Sequence, residues 1–131
     1  MLKDALYARS QAVSGLTALI GTRFYNVQAP QTTATPYVTF QIVSADRVHV
    51  MGRDSLGRPR VQMDSWGHDR QEAENVNAQV VAAFNRWSGT VASIKVKDTV
   101  TLSDGIDIEA DDVTLVPRVT SEFEVVYELA P

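Results

Sequence analysis

Arg60-Val61-Gln62-Met63-Asp64-Ser65-Trp66, followed after Gly67 and His68 by the segment from Asp69 to Trp87, carries the reading of the fold. In the first part Val61 and Met63 point to one side and Gln62, Asp64 and Trp66 to the other, which is the period of a half-buried β-strand. In the second part the spacing lengthens. Ala73, Val76, Val80, Ala83, Phe84 and Trp87 recur at three- and four-residue steps and line one face of a helix. Asp69 and Glu72 have the spacing of a capping box, and acids in the first turn suit the positive end of the helix dipole. Gly89 stands where a C-terminal cap belongs. A strand leading directly into a long amphipathic helix predicts a sheet with that helix packed on it.

Upstream, Pro36 leads into Tyr37-Val38-Thr39-Phe40-Gln41-Ile42-Val43, whose Val38, Phe40 and Ile42 share one face of a second strand. Residues 45–58, with Gly52, Gly57 and the neighbouring Pro59, read as a long hairpin connection in which pairing can continue through His49 and Met51. Leu2, Ala5, Leu6, Ala12 and Val13 mark an amphipathic first helix that Ser14-Gly15 ends or kinks. Leu16, Leu19 and Ile20 then make a short apolar turn closed by Gly21. Gln28 to Pro36 is rich in Thr, Ala and Pro and should run extended over the surface. Downstream, Val91, Ile94, Val96, Val100 and Leu102 predict one or two strands with a bend or bulge near Asp98. The last strand spans Arg118 to Leu129, with Val119, Phe123, Val125, Tyr127 and Leu129 opposite Glu122, Glu124 and Glu128. The expected fold is α+β: a roughly four-stranded, mainly antiparallel sheet carrying the N-terminal helix and the long helix on one face, in the order helix-strand-strand-helix-strand-strand. It forms one domain, 1–131, with long connections near 45–58 and 98–117.

With 131 residues, 44% hydrophobic and 21% charged, the chain suits one domain with a core that needs no staple. It has no cysteine, so disulfides, thiolate zinc sites and a cysteine nucleophile are excluded. The net charge of −4 argues against a general nucleic-acid or anionic-membrane binder. The N-terminal stretch lacks the continuous apolar region of a signal peptide, and no run is long enough to span a bilayer.

Catalytic motifs are missing. His49 and His68 have no ligand-type partner at helical spacing, so no catalytic, cofactor-binding or metal residues are assigned. Gly52 to Arg58 lacks the spacing of a phosphate loop, and no serine sits in a nucleophile elbow. Two charged segments stand out instead. Residues 46–60 hold Arg47, Arg53, Arg58 and Arg60 against Asp46 and Asp54, a charge of +2; residues 98–112 hold Asp98, Asp104, Asp107, Glu109, Asp111 and Asp112 with no base, a charge of −6. The acidic run does not follow the calcium-loop pattern. Two connections of opposite sign on one small domain suit a head-to-tail contact between copies, in which one patch meets a different patch on the neighbour. Each also reads simply as a solvated loop. A contrasting reading is a metal-dependent hydrolase built on His68, Asp69 and the acidic loop.

Several landmarks, in order, carry a family resemblance: Leu19-Ile20-Gly21-Thr22-Arg23-Phe24-Tyr25, the strand entry Pro36-Tyr37-Val38, the strand Arg60 to Trp66, the helix with Ala73 and Phe84 before Gly89, and the closing strand Arg118 to Tyr127. Together they resemble the tail-completion, or tail-terminator, proteins of long-tailed bacteriophages and related tailed particles. Ser65 stands where that family often has cysteine, and Pro117 where it often has an aromatic. The resemblance implies a non-enzymatic virion protein, without cofactor, that assembles in the bacterial cytoplasm into a homohexameric ring. The ring would cap the head-proximal end of the tail tube, stop its polymerisation and meet a head-side connector or neck protein. Its partners would be itself, the tail tube protein and that connector, with no membrane and no sequence-specific nucleic acid, the genome passing through the lumen. A neighbouring role, such as a head-completion adaptor, fits the same landmarks.

Overall fold

The computed structural model describes residues 2–30, 34–44, 47–50, 53–91, 94–108 and 117–129, with the backbone alone at 44, 47–50, 53–56, 104–108 and 129. The chain runs α1 (Leu2–Ala12), α2 (Ser14–Ile20), β1 (Phe24–Asn26), β2 (Tyr37–Ser44), β3 (Arg47–Val50), β4 (Arg53–Gly57), β5 (Arg60–Trp66), α3 (Arg70–Phe84), β6 (Gly89–Val91), β7 (Ile94–Ile108) and β8 (Arg118–Leu129). The class is α+β, as expected, but the described sheet has eight strands rather than four. Two of the additions, β1 and β6, are three residues long, too short for a period to show. The other two, β3 and β4, turn the 45–58 connection into paired hairpin arms. The second apolar turn is a helix in its own right, α2, making three described helices.

The strand order is β1-β2-β5-β8-β4-β3, with β7 on the other edge of β8 and β6 outside β7. Of the described pairs only β1–β2 is parallel. β5 and β4 share one edge of β8: Arg60 lies opposite Glu124, Gly57 opposite Tyr127, and between them the Val125 N–H donates to the Pro59 carbonyl at 3.0 Å. Arg58-Pro59 is therefore a kink in one long arm.

Direct cross-strand partners face the same side of a sheet. The rung Ile42–Val61–Phe123–Thr101 and the rung Val38–Ser65–Val119 both face the helices. On that side Phe84, fully buried near the end of α3, packs its ring 6.0 Å from Phe24, 6.1 Å from Phe123 and 5.8 Å from Trp87, while Phe24 stacks on Phe40 at 4.9 Å. Leu6, Leu16 and Ile20 close the core from α1 and α2. The Ser121 hydroxyl donates to Asn77 Oδ1 at 2.5 Å and ties the middle of α3 to β8.

Asp69 caps α3 by accepting from the Glu72 N–H at 2.8 Å, as its spacing predicts. The other end differs from the sequence reading. The helix stops at Phe84 rather than reaching Trp87, because Arg86 takes a left-handed backbone (φ 60°) and donates its N–H to the Thr99 carbonyl of β7 at 2.6 Å. Gly89 accordingly begins β6 instead of capping the helix. Gly21 does close α2 with φ 60°.

Candidate functional site

The basic segment roots on the C-terminal end of β8. A Cβ at Gly57 would lie 2.7 Å from the Tyr127 ring, so only glycine lets the arm cross there. Beyond this root β3 and β4 pair as a hairpin carrying Arg47 and Arg53, with Val50 opposite Arg53. Arg58, at the kink, is half-exposed and donates to Glu124 of its own chain at 2.9 Å. Arg60 lies exposed at the start of β5, opposite Glu124.

The acidic segment leads away to the other end of β8. Asp98 sits at a bulge in β7, as its sequence setting predicts, and is held by Arg86 at 2.8 Å. Further irregularities follow between Thr101 and Ser103 and between Ser103 and Ile106. The first bulge reverses which residues face the core. Thr99 is fully buried and donates to the Trp87 carbonyl, while Leu102, grouped with the core residues in sequence, is 47% exposed. Asp104 and Asp107 lie on the last stretch of β7, with Asp107 opposite Val119. Glu109, Asp111 and Asp112 fall outside the described residues.

The hairpin root and the acidic arm are therefore nine residues apart on β8, at Glu128 and Val119. At roughly 3.3 Å per residue this is about 30 Å along the strand. Asp107 is too far from the hairpin root to pair with it within one chain, whereas Asp98, opposite Val126 near that root, is held by Arg86.

The sheet face away from the helices carries rows of direct partners. Tyr37, Trp66 and Arg118 form one row, with rings stacked at 5.8 Å and the guanidinium 5.2 Å above the indole. Thr39, Asp64 and Thr120 form the next. Asp64 is only 7% exposed, accepts from Thr120 Oγ1 at 2.6 Å and from Gln62 Nε2 at 3.2 Å, and lies beside Thr39, which accepts from the Trp66 indole at 2.9 Å. Its hydrogen bonds meet the need of a carboxylate withdrawn from water. This ordered polar row escaped the sequence reading; the one available signal was an acid in the middle of an alternating strand beside a tryptophan. Farther along, Glu128 lies 3.4 Å from Lys97 and 4.0 Å from Lys95.

His68 stands at the start of α3, with Nδ1 2.9 Å from Glu72 and Nε2 3.1 Å from Asp69. The hydrogen bond to Glu72, helped by the charges of Asp69 and Glu72, raises its pKa above the ordinary 6.5. The His68 backbone and side-chain hydrogen bonds lower that of Glu72. Both ring nitrogens are thus engaged by carboxylates at a helix start. Among the described residues no three His, Cys, Asp or Glu side chains converge as a metal site. No described helix is long and apolar enough to cross a membrane.

What remains is a two-ended, charged sheet, and its sequence matches the tail completion protein gp17 family over residues 4–128. The chain belongs to that family. It is a structural protein of a phage-type tail. No curated protein matches the chain. Among solved structures, a chain from the virion of a native gene transfer agent (GTA) particle shares the fold with a TM-score of 0.71 at 18% identity, covering 97% of this chain and 94% of that one. The family match runs through the helices, the kinked hairpin and β8, so it includes both charged segments.

Proposed function

We propose that this tail completion protein assembles as a ring, a hexamer, on the head-proximal end of the tail tube, where it ends tube growth and joins the tail to a head-side connector. The observation that carries the reading is the polarity of the subunit. A junction between two different partners needs two different ends, and β8 separates the hairpin carrying Arg47 and Arg53 from the stretch of β7 carrying Asp104 and Asp107. Charge complementarity of this kind chooses partners and orientation more than it adds raw affinity. The role requires no chemistry, cofactor, membrane or base-specific contact. Assembly takes place in the bacterial cytoplasm, the product resides in the virion, and the genome passes through the lumen.

Particles made without this chain provide the test. A terminator's absence yields tubes of unregulated length that carry no heads. Tubes of normal length lacking heads would instead make the chain a neck adaptor, and joined particles of normal length would overturn both roles.

A further inference from the structure

Resting on the ring reading, we infer that neighbouring subunits join edge to edge by β-strand addition, the Gln41–Ser44 edge of β2 in one copy pairing with β7 around Thr101 in the next. Among the described strands, β1 covers β2 only at Val38–Phe40, which leaves Gln41–Ser44 and β3 as an edge. On the opposite side of the sheet β6 covers β7 only at Ile94–Val96, and Arg86 meets it at Thr99. From Thr101 to Ile108 no described strand lies outside it. Rows of backbone donors and acceptors on such edges are templates for another strand, and monomeric proteins usually guard them with charge, proline or a covering element.

At the height of Ile42 both edges carry exposed apolar side chains. Ile42 is 40% exposed and Val43 45% on one edge, and Leu102 is 47% exposed on the other. Their heights match: Ile42 lies on the rung Val61–Phe123–Thr101, directly beside Leu102. A rotation about an axis parallel to the strands would set Ile42 and Val43 of one copy against Leu102 of the next. Strand direction fits as well. Three antiparallel steps, β2 to β5 to β8 to β7, make β2 antiparallel to β7, and such a rotation preserves direction, so the junction continues the alternation. The contact is heterologous, as ring closure requires. The occupant of each edge is therefore a second copy of this chain.

The same geometry reassigns the charged segments. With strands along the ring axis, the hairpin with Arg47 and Arg53 projects from one face of the ring and the arm with Asp104 and Asp107 from the other. They then meet the ring's axial neighbours, not the next subunit, where the sequence first suggested a contact.

The test uses Val43→Lys and Leu102→Lys, each placing a charge on one edge, with thermal melts to verify folding. Each variant alone should lose ring formation, with association weakened about thirtyfold or more, as for a central interface residue. Mixed together they should give a two-subunit species through the one intact junction, and no ring. In the wild-type ring, amides of 41–44 and 101–104 should exchange at least about tenfold more slowly than in the monomeric variants, as newly paired strand amides do. A wild-type ring whose amides at both edges exchange as fast as the monomer's, or one unaffected by both substitutions, overturns the edge junction while leaving the ring. A wild-type chain that forms no ring in solution or in particles overturns the ring itself, and the junction with it.

Discussion

Phe84→Ala tests whether the core is centred where the end of α3 meets the sheet. The Phe84 side chain is fully buried, with the rings of Phe24, Phe123 and Trp87 within 5.8–6.1 Å. Truncation removes its transfer free energy and leaves a cavity walled by aromatics from β1, β8 and the turn after α3, which are anchored in different elements and cannot all collapse into it. The expected cost is about 3–5 kcal/mol. Domains near this size lose roughly 3–5 °C of Tm per kcal/mol, so the midpoint should fall by about 10–20 °C. Urea titration with an unchanged m-value would assign the change to the native state. Phe84→Leu should cost clearly less, because it retains much of the lost contact. A loss below about 1.5 kcal/mol for the alanine variant would be typical of small packing changes and would refute the placement of Phe84 at the core's centre.

Ser65 lies in the core opposite Val38 and Val119, and its buried hydroxyl has no partner among the described residues. Ser65→Ala should therefore raise stability by about 1 kcal/mol, read by chemical denaturation, whereas a loss of similar size would reveal a partner. His68 has a raised pKa and Glu72 a lowered one. The histidine's contribution is complete below 6.5 and fades as pH rises through its raised value. The glutamate's is complete above 4.5 and fades as pH falls through its lowered value. The Tm difference between wild type and His68→Ala should thus be largest between these limits and vanish in alkali; a difference that grows above pH 8 would contradict the pairing. Arg53→Glu with Arg58→Glu should leave the ring intact while separating it from its axial partner, seen as unjoined particles. Glu124→Gln reproduces the lost in-chain pair, worth under about 1 kcal/mol, without altering the hairpin's arginines. Normally joined particles from the double reversal would remove the hairpin's role.

The strands β2, β5 and β8 were legible because their apolar residues alternate and line the face toward the helices, even though Thr39, Asp64 and Thr120 on the other face are buried as well. The start of α3 was legible because Asp69 and Glu72 satisfy its first amides locally. Its end was not. Arg86 turns there by bonding to Thr99, thirteen residues later in the chain, and no local pattern records that partner. β7 was misread in part for a similar reason: its bulges exchange the faces, burying Thr99 and exposing Leu102. Arginines and acids could be counted as segments of opposite sign, but their separation along β8 depends on pairings between distant strands. Nor could the count show that Arg58 engages Glu124.

The most direct measurement is an image of the assembled particle at a resolution that traces strands at the head-proximal end of the tail. The account predicts a closed ring of this chain on the last layer of the tube, with strands near the ring axis direction and the Gln41–Ser44 edge of each β2 against the next subunit's β7. A chain found in single copy, or lodged inside the head away from the tube, would contradict it.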